Sequence, residues 1–84
     1  MFKIIYAKSV FKDLRKISFD QLPAIKEGIG ELEKFPNISQ LKHLKNHSLA
    51  EYRLRIGNYR VLFDVNWEEK AIHILKIGHR WDVY

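Results

Sequence analysis

Four arginines in the last third of this 84-residue chain carry the chemistry that its sequence can offer. Arg53 and Arg55 sit two apart in Tyr52-Arg53-Leu54-Arg55-Ile56, a run that alternates apolar and charged residues. That alternation predicts a strand with both guanidinium groups on one face. Arg60 follows across Gly57-Asn58, a two-residue turn signal, and Arg80 follows Gly78-His79 after a further strand-like run. A guanidinium group binds phosphate with paired N–H donors and keeps its charge when partly buried. A cluster of four could hold a phosphate diester and offset the charge that grows on it in a transition state. The plain alternative is a solvated charged face.

Other side chains extend this list. Lys42 and Lys45 add positive charge in a stretch, Lys42 to Arg60, whose one acid is Glu51. His79 adjoins Arg80, and a histidine in that position is a candidate general acid or base. Tyr52, Tyr59, Trp67, Trp81 and Tyr84 are candidates to stack on unpaired bases, with Tyr59 assigned to the core by its place in the alternation. His43 and His47 have the spacing of two metal ligands on one helical turn, but no third ligand lies near them, so no metal or other cofactor is expected. There is no nucleophile elbow, glycine-rich phosphate loop or carboxylate pair.

The elements that must position these residues are short and amphipathic. Phe2 to Tyr6 reads as a strand with Phe2, Ile4 and Tyr6 on one face. Ser9 then caps a helix with its apolar stripe at Val10, Phe11, Leu14 and Ile17, while Asp13 faces water. Asp20 caps a second helix, with Pro23 in its first turn and Leu22, Ile25, Ile29 and Leu32 as its stripe; Phe35-Pro36 ends it. Gly28 and Gly30 weaken that helix or mark close approach to a neighbour. Asn37 to Ala50 is irregular, with Leu41 and Leu44 as anchors. Strands follow at 52–56, 59–65 and 71–77. The order β-α-α-β-β-β predicts a single α+β domain over residues 1–84, two N-terminal helices packed on an antiparallel sheet whose other face bears Arg53, Arg55 and Arg60.

Composition agrees with that size. The chain has no cysteine and a formal net charge of +5, which favours a polyanionic partner. It has no signal-peptide pattern and no apolar run of the roughly 20 residues that cross a bilayer, so a cytoplasmic protein with no membrane partner is expected.

The motifs Tyr52-Arg53-Leu54-Arg55, Gly57-Asn58-Tyr59-Arg60-Val61, Gly78-His79-Arg80 and Val83-Tyr84, in this element order, resemble the RelE branch of the RelE/ParE toxin superfamily. The resemblance spans the chain and is most specific in its last third. It implies the toxin of a type II toxin–antitoxin pair: an mRNA interferase that enters the ribosomal A site and cuts mRNA there without a metal, the 2′-hydroxyl attacking the adjacent phosphate. It implies a cognate antitoxin from the same operon, with operator DNA bound only by the pair. Carried onto this sequence, Arg60 and Arg80 take the phosphate-binding arginine positions, and Tyr84 takes the tail tyrosine that stacks on the substrate base. Arg53 and Arg55 stand where the best-studied RelE pattern has lysines. Arginine effectively never gives up its proton in proteins, so neither is a general base; His79, Tyr84 or a ribosomal group is left for that role. The alternatives are a ParE-like inhibitor of DNA gyrase without nuclease activity, and a decayed toxin that only binds its antitoxin.

Overall fold

A computed structural model describes residues 1–46 and 49–80. Its sheet has the strand order β1-β5-β4-β3-β2, built from β1 (Lys3–Tyr6), β2 (Leu41–His43), β3 (Tyr52–Ile56), β4 (Tyr59–Asn66) and β5 (Ala71–His79). The strands β2 to β5 are antiparallel neighbours, and β1 joins β5 in parallel, so the sheet is mixed. Two helices, α1 (Lys8–Arg15) and α2 (Leu22–Gly30), pack on one face. None among the described residues is long and apolar enough to cross a membrane.

Local chemistry explains most of these elements, and tertiary contacts explain the departures. Ser9 does not cap α1. The helix begins at Lys8 with Ala7 as its N-cap, because the Ala7 N–H is taken by the Ile74 carbonyl (2.9 Å) as β1 ends beside β5. Nor does Asp20 cap α2: a 3-10 turn, Phe19–Gln21, runs straight into it, and Pro23 occupies its first turn as expected. The segment expected to be irregular contains β2, paired as Leu41↔Leu54, Lys42↔Arg53 and His43↔Tyr52.

The core lies between helices and sheet. Val10, Leu32, Val61, Phe63, Ile72 and Ile74 are fully inaccessible there, each contributing roughly 1.5–3 kcal/mol of burial. Leu54, Val61, Phe63, Ile72, Ile74 and Ile77 supply the sheet side. The apolar phase of β5 steps by two from Ile72 to Ile74 and by three to Ile77, and the ladder is irregular at that point: Leu62 faces Lys76, and Phe63 faces Ile74. Leu75 is the extra residue, a bulge.

The opposite face is not bare. Leu62 is fully buried on it and Ala50 nearly so, with Leu44 and Leu75 against them. The Leu44 N–H bonds the Glu51 carbonyl (2.7 Å), which closes the β2–β3 connection and holds Leu44 and Ala50 to this satellite cluster. Leu41, by contrast, packs against the main core. The arginines therefore share this face with an apolar patch: Arg53 stands beside Leu62, and Arg55 and Arg60 lie beyond it toward the β3–β4 turn.

Candidate active site

The hairpin between β3 and β4 builds the site. Its loop is Gly57-Asn58, with φ of 58° at Gly57, the positive value that a two-residue II′-type loop demands at its first position. Ladder partners share a face, and the register Arg53↔Leu62, Arg55↔Arg60 and Arg60↔Gly78 sets Arg53, Arg55 and Arg60 on one side, away from the helices. Lys42, opposite Arg53, extends the row onto β2. Gly78 puts no side chain beside Arg60. The Arg80 N–H donates to the Asn58 carbonyl (2.8 Å), which anchors exposed Arg80 at the same hairpin end.

Arg60 is the unusual member. It is 8% exposed, the one buried charged residue among those described. Its Nη1 donates to the carbonyls of Tyr59 (3.2 Å) and Gly57 (3.4 Å), which orients the guanidinium at the turn. Its Nε is buried and has no hydrogen-bond partner among the described residues. No carboxylate among them pairs with it. A buried cation that meets only neutral carbonyls is costly unless an anion completes it. Arg53 is half-buried, and Arg55 and Lys42 are exposed, so they can reach a long polyanion.

The other candidates divide. Lys45 lies exposed in the β2–β3 connection. His79 pairs with Tyr59, a residue packed on the main core, and their rings meet edge to face at 5.6 Å. Its register places it on the helix side of β5, the face opposite Arg60. Tyr52 packs between Phe63 (5.5 Å) and His43 (4.7 Å), and Trp67 packs on Phe2 and Phe35 at the far end of the sheet. Trp81 and Tyr84, and the His47 of the histidine pair, lie outside the described residues. No cluster of three or more metal-ligating side chains occurs among those described.

Asp13 was not legible as part of this end of the fold. Its carboxylate accepts the Ile77 N–H (3.0 Å) and lies 3.5 Å from the Lys76 ammonium. The outer side of β5 is uncovered beyond β1, and Asp13 from α1 takes the place of a missing strand. The one sequence signal for it was the three-residue step from Ile74 to Ile77.

Residues 4–84 match the family model of the ParE toxin of type II toxin–antitoxin systems, parDE. The chain belongs to the RelE/ParE toxin family. A relative named RelE1 from Methanocaldococcus jannaschii is 36% identical across 99% of this chain and 94% of its own. Toxin RelE3 of the same organism is 30% identical across 98% and 94%. Among solved structures, the Mycobacterium tuberculosis RelBE2 toxin–antitoxin complex superposes with a TM-score of 0.81 at 26% identity, covering 94% of this chain and 98% of that one. The RelB–RelE complex from Methanococcus jannaschii gives 0.76 at 29%, covering 95% and 94%. The α+β architecture expected of a RelE-like toxin is thus the one found, with the expected first strand pairing in parallel with β5 and the short β2 added at the other edge.

Proposed function

We propose that this toxin is a ribosome-dependent mRNA endoribonuclease. The observation that carries the reading is Arg60, a buried guanidinium with no anionic partner among the described residues, at the centre of a row of cations. Arg60 and Arg80 hold the scissile phosphate and take up its growing charge. Arg53 and Arg55 orient the flanking backbone, and Lys42 and Lys45 steer the strand. The 2′-oxygen forms a bond to phosphorus, the bond from phosphorus to the 5′-oxygen breaks, and a cyclic phosphate and a 5′-hydroxyl remain. The 2′-hydroxyl proton goes to His79, Tyr84 or a ribosomal group, and the leaving oxygen gains one. Cleavage of ribosome-bound mRNA by His79→Ala at the wild-type rate removes His79 from that choice.

A second reading has its own support, since the matching family model is named for ParE. In it the cations bind DNA gyrase and nothing is cut. Primer extension on cellular mRNA after induction decides between them. Codon-phased cuts support the nuclease; intact mRNA with damaged DNA supports the gyrase inhibitor.

The structural relatives were solved with RelB antitoxins, and this toxin is proposed to bind a cognate antitoxin in the same way, with operator DNA bound by the pair. The surface best fitted to it is an apolar groove of about 520 Å³ between α1 and α2, lined by Tyr6, Phe11, Leu14, Phe19, Leu22 and Ile29. Phe19 is 89% exposed there, and Lys26 lines the groove with Lys8 and Lys12 on the exposed surface of α1. An amphipathic antitoxin segment with acidic flanks matches both properties. Partial burial pushes the Tyr6 hydroxyl above its ordinary pKa.

A further inference from the structure

A polar cavity of about 350 Å³ opens where the end of α1 meets β5. Asp13, Lys16, Tyr59, Lys76, Gly78 and His79 line it. It opens at the uncovered edge of β5: Tyr59, Ile77 and His79 line it from the helix side, and Lys76 and Gly78, opposite Leu62 and Arg60 in the ladder, border it from the arginine side. Its volume is at the small end of ligand pockets, which run from about 300 to 1,000 Å³.

Its chemistry is that of a nucleotide site. Lys76 and the Ile77 N–H already compensate Asp13. Two ammonium groups against one carboxylate leave one positive charge in excess, and Lys16 is the one with no ion pair among the described residues. Tyr59 and His79, edge to face at 79°, form a corner of two aromatic rings against which a base can pack. Gly78 belongs both to this cavity and to the ladder pair with Arg60.

We propose that this cavity is a nucleoside subsite for single-stranded RNA. It takes the base and sugar next to the phosphate held by Arg60 and Arg80, and Lys16 meets the phosphate beyond. The strand therefore bends around the end of β5 at Gly78-His79-Arg80. This gives His79 a substrate contact from the side opposite Arg60. The assignment rests on the phosphate-site reading above.

Two measurements test it. In the first, isotope-labelled toxin is titrated with adenosine 5′-monophosphate and followed by NMR. Backbone resonances of Ile77, Gly78 and His79 shift in the wild type, and the apparent affinity falls about three- to tenfold in Lys16→Ala. No shift at these residues, or an unchanged affinity in Lys16→Ala, overturns the subsite. In the second, Lys16→Ala raises the KM for cleavage of ribosome-bound mRNA about three- to tenfold, leaves kcat within about twofold, and is rescued by Lys16→Arg. An unchanged KM, with Arg60→Ala inactive, defeats the subsite and leaves the phosphate site standing. Full activity in Arg60→Ala defeats the phosphate site instead, and the nucleotide titration then judges the cavity alone. Lys16 is exposed at the end of α1, so its replacement spares the core.

Discussion

Arg55 and Arg60 stand directly opposite each other across the β3–β4 ladder. The Arg55 N–H points the other way, to the Gln40 carbonyl (3.1 Å), so the pair occupies a non-hydrogen-bonded site. Cα atoms at such sites are about 4.5 Å apart and their side chains are close. Like charges so placed are destabilising, and one of these two is buried. Folding alone does not ask for this pair. Replacing Arg60 by an apolar residue of similar length should therefore stabilise the protein and disarm it. Arg60→Met is expected to gain about 1–3 kcal/mol in urea unfolding while losing growth arrest. A destabilised Arg60→Met would mean that the guanidinium is a structural group.

The same pair should make stability sensitive to anions. A ligand that binds the folded state alone stabilises it in proportion to its occupancy. At a phosphate concentration about three times its dissociation constant, the melting temperature should rise roughly 3–6 °C over chloride at matched ionic strength. The rise should vanish in Arg60→Met. A rise of equal size in both proteins would come from general salt exclusion and not from this site.

How much of this was legible follows from the range of the forces involved. Alternation in Tyr52 to Val65 placed Leu54, Val61 and Phe63 in the core and Arg53, Arg55 and Arg60 outside it, because a strand's period is local. Gly57-Asn58 fixed the register, so Arg55 and Arg60 could be paired by counting. The three residues of β2 were missed because their pairing depends on Tyr52, Arg53 and Leu54, which lie across the β2–β3 connection and not in the local sequence. The side taken by His79 was missed for another reason. It adjoins Arg80 in sequence, but the bulge at Leu75 resets the alternation of β5 and sends His79 to the face of Tyr59. Burial of Arg60 had no sequence signature; in the fold its Nη1 turns back onto the carbonyls of its own hairpin.

Asp13 links the helical layer to the end of β5 that carries Gly78. Its carboxylate is 12% exposed and is the acceptor for the Ile77 N–H. Asp13→Ala leaves that donor without its partner and should cost about 1–3 kcal/mol. Asp13→Asn keeps an acceptor oxygen and should cost less than half as much in the same urea titration. Equal losses in the two variants would assign the effect to the Lys76 ion pair.

Gly28 and Gly30 are two residues apart on α2 and should respond in opposite directions. A Cβ at Gly28 would run into the Ile56 side chain, whereas one at Gly30 meets nothing within 4 Å. Gly30→Ala removes backbone freedom from the unfolded chain and should stabilise by about 0.5–1 kcal/mol. Gly28→Ala must push Ile56 aside and should destabilise by about 1–3 kcal/mol despite the same gain in helix propensity. Thermal melts of the two variants against the wild type check the pair.

The groove between α1 and α2 and the arginine row belong to different surfaces, so neutralisation and toxicity should be separable. Phe19 is 89% exposed and Phe11 52% exposed, and neither contributes to the buried core. Phe19→Glu puts a carboxylate where an apolar, acid-flanked antitoxin segment would dock, adding repulsion to the lost contact. Its affinity for the proposed antitoxin should fall about 10- to 100-fold, the range of a lost aromatic anchor. Growth arrest on induction should persist and should no longer be relieved by coexpressed antitoxin. Wild-type affinity in Phe19→Glu would move the docking surface to another face, while loss of growth arrest would show that this groove also serves the ribosome.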